Sequence, residues 1–425
     1  FAAQSTSPSQ AIPTEKATAA FAEVHALCTA EHGKLWGHSL CVPMMFVDPD
    51  SREAVLNQPA NDAARDGAIY RLALPQDIGI ANTSLDFQGR RWSMVMWPLP
   101  TDKTERDILL MHESYHSIQP VLGLQGNGGL GKNGELDSRD GRIWLRAEFS
   151  SLHAALQASG QQRKQALADA LLFRAYRMSL WTHAATDERS LELNEGLAES
   201  TGIDASQHST EARVSAALHD IEGVEKESSF VRSFAYATGP AYAELLDAVQ
   251  PDWRRKVTPG FAFGMATAAA YHIAMPKPDK QQAMTAIAKY DGKQIIAEED
   301  ARAKVTAERN ARFAKALVSG STLTLPLNLK TISISYDPRM VYTLPGHGSV
   351  YQTLTLGEAW GKLTVHDDGM ALIPATFDSV TVPLERMPTG MHLDGKDWSL
   401  TLNKGFRCEP DPKHKGSFVV TEVKP

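Results

Sequence analysis

The chain has 425 residues, 43% of them hydrophobic and 22% charged, which excludes a disordered or collagen-like polymer and leaves enough sequence for roughly two or three domains. Forty-three Lys and Arg stand against 50 Asp and Glu, a net charge of -7 with the two signs interspersed, so a nucleic-acid binder built on a basic patch is excluded as well. Three cysteines without a CxxC pair leave neither a disulfide scaffold nor a thiolate zinc site, and any metal has to be held by His and carboxylates.

The start, FAAQSTSPSQ, is rich in Ser, Ala and Gln like a mature exported chain, and a secreted or periplasmic location is expected on that ground. From Pro13 to Ala30 the apolar residues Ala17, Ala20, Phe21, Val24 and Leu27 recur at helical spacing and predict an amphipathic helix. Cys28 and Cys41 are the natural disulfide pair in an oxidising compartment, with Cys408 left over; three free thiols is the alternative. Leu40 to Val47, the turn DPDSR and Glu53 to Asn57 read as strand, turn, strand, and Gly79 to Leu85 with Trp92 to Trp97 read as a hairpin around FQGR. Residues 36–100 are therefore expected to form a small antiparallel sheet.

TDKTERDILLMHESYHSIQP follows, with Asp102 and Glu105 at capping-box spacing and Pro120 as a stop, which predicts a helix of about four turns. After a glycine-rich loop, helical periodicity returns over Ile143 to Ala158, Arg163 to Trp181, Asp187 to Thr201, Thr210 to Leu218 and Phe230 to Val249. Val257 to Pro276 is the least charged stretch, but Pro259, Gly260 and His272 argue for a buried helix from Phe261 to Ala274 and against a membrane span. Lys280 to Val318 continues as a charged helix up to Ser319 and Gly320. From Leu323 onward short alternating segments such as TISISY, GKLTVH and WSLTL are separated by turn residues, the pattern of a β-sandwich or barrel.

His112-Glu113-Ser114-Tyr115-His116 is an HExxH sequence within the predicted helix from Asp102. Residues four apart share one helical face, so both imidazoles can hold one metal ion while Glu113 stands beside its open position as a general base. Zinc in such a site needs a third protein ligand. The segment LELNEGLAEST supplies Glu195 as that ligand and Glu199, one turn further on the same face, as the carboxylate that orients His112 from outside the coordination shell. The expected metal ligands are thus His112, His116 and Glu195, and the expected cofactor is Zn2+. Gly126, Gly128 and Gly131 satisfy GxGxxG but follow a helix, so the loop reads as a rim or lid and not as a nucleotide site. Asn82-Thr83-Ser84 lies in a predicted strand and carries no weight as a glycosylation site, and His272 reads as a core histidine that could line the pocket.

HExxH on one helix and NEGxAE, here Asn194 to Glu199, on a later one resemble the gluzincin zinc metallopeptidases, with distant similarity to aminopeptidase N-like enzymes. That resemblance implies a catalytic tyrosine in a Y-x-x-G helix, matched by Tyr236 and Gly239, with Tyr242 as the rival. It also implies an edge strand for substrate backbone, for which Arg91 to Trp97 is the candidate. Two features depart from it: the interval from His116 to Glu195 is much longer, as if a helical pair were inserted, and the GxMxN segment that recognises a free substrate N-terminus is absent, so aminopeptidase activity is not implied. The expected fold class is α+β. Its helix and sheet occupy 1–100, a helical zinc-binding region 101–275, a helical linker 276–320 and an all-β domain 321–425. The expected function is zinc-dependent hydrolysis of a peptide or protein substrate. The alternative is a catalytically retired relative whose β-domain binds a partner or glycan, and the intact set of His112, Glu113, His116, Glu195 and Tyr236 favours the enzyme.

Overall fold

The computed structural model describes residues 11–124, 133–337, 340–366 and 368–423, and the fold is α+β. Helix α1 (Thr14–Glu31) lies on one face of a six-stranded sheet made of β1 (Met44–Val47), β2 (Glu53–Leu56), β3 (Ala64–Asp66), β4 (Ile69–Ala73), β5 (Thr83–Phe87) and β6 (Arg90–Met96). Strand side chains alternate between faces. Met44 and Phe46 accordingly pack with Phe21, Val24 and Leu110, while Met45 and Val47 pack with Trp92 and Met94 on the other side. The Cys28–Cys41 disulfide joins α1 to the segment that enters β1.

Sheet order is β3-β4-β2-β1-β6-β5, and β1 pairs with β6 in parallel, so the sheet is mixed and not purely antiparallel as expected. Strands β3 and β4 escaped the sequence reading because all but one of their residues are half-buried or exposed and show no clean alternation. A second correction concerns substrate geometry: Arg91 to Trp97 falls mostly within β6, which is interior, and the edge strand on that side of the sheet is β5, with β3 at the far edge. The hairpin turns at Gln88 and Gly89, and the second strand of that hairpin, not the first, adds to β1.

β6 leads into α2 (Lys103–Ile118), whose Asp102 cap accepts a hydrogen bond from the Glu105 amide at 3.0 Å. The helical body continues with α3 (Arg139–Gln157), α4 (Gly160–Ser179), α5 (Ala184–Leu191), a π-helical turn at Glu192–Gly196, α6 (Leu197–Ser206), α7 (Thr210–Glu225), α8 (Phe234–Asp247), α9 (Phe263–Ala270), α10 (Lys280–Ala286) and α11 (Gly292–Leu317). Helices α3, α4 and α5 lie between His116 and Glu195 along the chain, where a helical pair is expected. The low-charge stretch yields only α9, and no helix among the described residues is long and apolar enough to cross a membrane. His272 is exposed at positive φ just beyond α9, neither core nor pocket, because the helix ends before it. The glycines 126, 128 and 131 lie outside the described residues.

The chain divides into two compact units between Glu299 and Asp300, within α11. The segment read as a linker is therefore shared: Ile295 packs with Trp144 and Phe173 of the first unit, and Phe313 and Leu317 with Leu344 and Val350 of the second.

The second unit contains β7 (Thr322–Pro326), β8 (Ser333–Tyr336), β9 (Val341–Leu344), β10 (Gly348–Tyr351), β11 (Leu354–Glu358), β12 (Gly361–Val365), β13 (Ala371–Ile373), β14 (Ser379–Pro383), β15 (His392–Asp394), β16 (Trp398–Leu402), β17 (Phe406–Pro410) and β18 (Phe418–Glu422). They form a seven-stranded sheet, β17-β18-β7-β14-β13-β10-β9, and a five-stranded sheet, β15-β16-β12-β11-β8. Leu323, Val380 and Val382 of the first sheet share a core with Leu356, Leu363 and Leu400 of the second, which makes the unit a sandwich. Trp360 and Trp398 each donate an indole N–H across to a carbonyl of the other sheet, at 2.7 and 2.8 Å.

Candidate active site

On α2 the i, i+4 spacing does what the sequence predicts: His112 and His116 point to one place, their Nε2 atoms 3.0 Å apart. Glu195 Oε2 lies 3.4 Å from the first and 3.5 Å from the second. Each imidazole is oriented through its other nitrogen. His112 Nδ1 donates to Glu199 Oε2 at 2.6 Å, and His116 Nδ1 donates to Gln119 Oε1 at 3.0 Å. The Gln119 amide has only one workable orientation, because its Nε2 donates to the carbonyls of Leu124 at 2.9 Å and Leu193 at 3.2 Å. With both Nδ1 atoms committed as donors, a neutral pair of imidazoles would turn both Nε2 lone pairs toward each other and toward a carboxylate oxygen.

Three electron-pair donors crowded this way repel one another unless a positive charge sits among them. The electrostatics show the same demand. Burial disfavours the charged form of His112, yet hydrogen bonds to Glu195 and Glu199 outweigh it and hold the imidazole well above its ordinary range. Burial raises the Glu195 carboxyl, but the bonds to His112 and His116 outweigh that and hold it far below the usual range. The donor set fits zinc: two nitrogens and one oxygen on a tetrahedral ion with bonds of about 2.0–2.1 Å stand roughly 3.3 Å apart. The donors here stand 3.0, 3.4 and 3.5 Å apart.

Why distant segments meet here is legible in two close backbone approaches. A Cβ on Gly202 of α6 would lie 2.6 Å from the Ile108 carbonyl of α2, so only glycine allows these two helices to approach this closely. A Cβ on Gly239 would lie 2.3 Å from Gly196 Cα, which explains the glycines of both the NEG and the Y-x-x-G motifs as a packing contact between α8 and the π-helical turn. That contact carries Tyr236 into the site. Its hydroxyl donates to Glu195 Oε2 at 2.7 Å and its ring stacks on His112 at 5.6 Å, while Asn194 Nδ2 donates to Glu195 Oε1 at 2.9 Å. Burial, followed by Glu195, pushes the Tyr236 phenol far above its ordinary range, so it stays a proton donor.

Tyr242, the rival, is elsewhere: it is fully buried and donates to Glu148 Oε1 at 2.7 Å. Glu113 is buried beside the two histidines without joining the cluster. Its Oε2 has no hydrogen-bond partner among the described residues, and burial raises its carboxyl above the usual range. A buried carboxylate oxygen with nothing to accept from is poised to take a proton.

The site opens into a cleft of about 1470 Å³. Ala81 to Ser84, at the edge strand β5, line it on one side, and His219 and Asp220 of α7 line it on another. Arg91 Nη2 donates to Ser84 Oγ at 2.6 Å, and Ser84 Oγ donates to the His116 carbonyl at 3.1 Å, which fastens β5 to α2. Asn82 Oδ1 is engaged by the Met96 amide at 2.8 Å. Gln119 and Asp220 were not singled out by sequence. Gln119 had a usable signal, since it lies three residues beyond His116 on the same helical face, whereas nothing near Asp220 marks it.

Compared with known proteins, the chain matches no protein-family model, no curated protein and no solved structure.

Proposed function

We propose that this chain is a zinc-dependent metallopeptidase of gluzincin type that hydrolyses peptide bonds in a peptide or protein substrate, with water as nucleophile and Glu113 as general base. The observation that carries the reading is the convergence of His112 Nε2, His116 Nε2 and Glu195 Oε2, each oriented by a neighbour, beside the buried Glu113, whose Oε2 has no hydrogen-bond partner among the described residues. When bound, zinc supplies the Lewis acidity that brings the pKa of water to about 7.

The chain's own residues do the rest. Glu113 takes the proton of the attacking water and returns it to the leaving amine, a role suited to a carboxyl raised by burial. Tyr236, which stays protonated, turns its hydroxyl from Glu195 to the oxyanion of the tetrahedral intermediate. The free edge of β5 takes the substrate backbone in extended form across the cleft. A chain that only bound partners would have no need of Glu113, and this favours the enzyme over a retired relative. The Cys28–Cys41 disulfide supports an oxidising, secreted or periplasmic, location.

Elemental analysis and a peptide-library digest test the proposal. One zinc per chain is expected, lost in a His112→Ala, His116→Ala double variant. Glu113→Gln is expected to keep the zinc and lose turnover by at least about 100-fold. Zinc content unchanged in the double variant, or no peptide cleaved by the zinc-loaded wild type, would overturn it.

A further inference from the structure

Behind the site lies a cluster of charges that the reaction does not use. Glu148 of α3, Arg174 and Arg177 of α4, Glu188 of α5 and Glu192, the first residue of the π-helical turn, are all at most 5% exposed. Arg174 Nη1 donates to Glu192 Oε1 at 2.8 Å and to Glu148 Oε1 at 3.1 Å, and its Nη2 donates to Glu192 Oε2. Thr238 of α8 donates to Glu192 Oε1 at 2.7 Å. Arg177 holds the other half, with Nη1 on Glu148 Oε2 and Nη2 on Glu188 Oε2, both at 2.6 Å.

Helical geometry links this cluster to the metal ligands. In an unbroken α-helix residues seven apart share a face, so Glu192 and Glu199 would point the same way. Here they point to different partners, Glu192 to Arg174 and Glu199 to His112. The π-helical turn supplies the extra residue per turn that swings Glu192 away from the face of Glu195 and Glu199. The turn and both sets of bonds occur together in this structure.

We infer that Arg174 and Glu192 are positioning residues for the metal centre: their buried pairing selects the π-helical turn and thereby aims Glu195 at His112 and His116. Fold stability alone does not call for such a pair, since well-packed apolar residues commonly serve as well in its place. The inference rests on the zinc reading above, and it makes the turn a device held from behind by charge and from the front by the ligands.

The test compares two double variants of the full chain, each removing one buried pair. Arg174→Met with Glu192→Leu removes the pair attached to the turn. Arg177→Met with Glu188→Leu removes the pair that is not. Zinc affinity is measured by competition with a chromophoric chelator, the visible spectrum of the cobalt-substituted protein reports ligand geometry, and thermal unfolding reports the fold. The first variant is expected to bind zinc about 10 to 100-fold more weakly, with an altered cobalt spectrum. The second is expected to bind within about threefold of wild type, below the usual effect of losing an outer partner. If the first does not fold, Glu192→Gln, which removes only the charge, carries the same test with a loss of about tenfold. Equal losses in both double variants, or unchanged zinc affinity in a folded Arg174, Glu192 variant or in Glu192→Gln, would overturn the inference. A wild-type chain that binds no zinc would overturn the functional reading instead.

Discussion

At the scale of single residues the centre depends on which nitrogen of each histidine carries the proton, and the partners decide that. Glu199 fixes His112 and Gln119 fixes His116. Gln119 does so without charge, through an amide whose donors are spent on the Leu124 and Leu193 carbonyls. Gln119→Leu is expected to weaken zinc binding by about 10 to 100-fold, as loss of an outer partner usually does, and to lower the melting temperature by leaving the Leu124 and Leu193 carbonyls without a donor; an isothermal titration showing wild-type affinity would refute this. Tyr236→Phe isolates one hydroxyl. Turnover is expected to fall about 100 to 1000-fold, the usual effect of losing one oxyanion donor. Because the same hydroxyl bonds Glu195, zinc affinity should also shift, but by less than about tenfold, the lower end of an outer-partner effect. Tyr242→Phe should leave turnover alone and reduce stability, since its hydroxyl serves the buried Glu148; measuring both variants side by side separates the two tyrosines.

At the scale of elements, α6 and α8 carry a second acidic group, Asp204, Glu244 and Asp247. Arg254 bonds Asp204 and Asp247, and Arg213 approaches Asp204 and Glu244 at 3.3 Å, so arginines already supply its positive charge. Burial, and after it the neighbouring Asp204, push Glu244 up to about 9. Its folded pKa therefore exceeds its unfolded one, and the folded chain binds more protons between the two. The stability Glu244 contributes is fully present below the ordinary carboxylate range and is lost as pH rises through about 9. Melting temperature followed from about pH 5 to pH 9 should fall more steeply for wild type than for Glu244→Gln. Parallel curves would show that Glu244 is ionised in the folded state.

At the scale of the whole molecule, every residue of the proposed centre precedes Glu299, and the sandwich unit begins at Asp300. Removing zinc with a chelator should therefore lower the unfolding temperature of the first unit and leave that of the sandwich unchanged, because a ligand stabilises only the part whose folded state binds it. Differential scanning calorimetry with and without chelator checks this; equal shifts of both transitions would contradict it.

Local pattern was enough for much of this protein. Periodicity and an Asp102 cap place HExxH on a helix, because the backbone geometry that puts residues i and i+4 on one face is a short-range property. Glu195 and Glu199 stay one turn apart for the same reason, and period-two alternation marks the sandwich. The remainder depended on which distant faces meet. The Y-x-x-G spacing singles out Tyr236 over Tyr242 only through the resemblance, and the physical reason is tertiary: the Gly196–Gly239 contact turns one toward Glu195 and His112, and the ion cluster takes the other. The parallel β1–β6 pairing, and with it the identity of β5 as the edge, comes from which strand of a hairpin docks. The π-helical turn is decided the same way. The sequence Glu192 to Gly196 reads as ordinary helix, and the groups that meet its two sides, Arg174 at Glu192 and His112 at Glu199, come from other helices that no local pattern brings together.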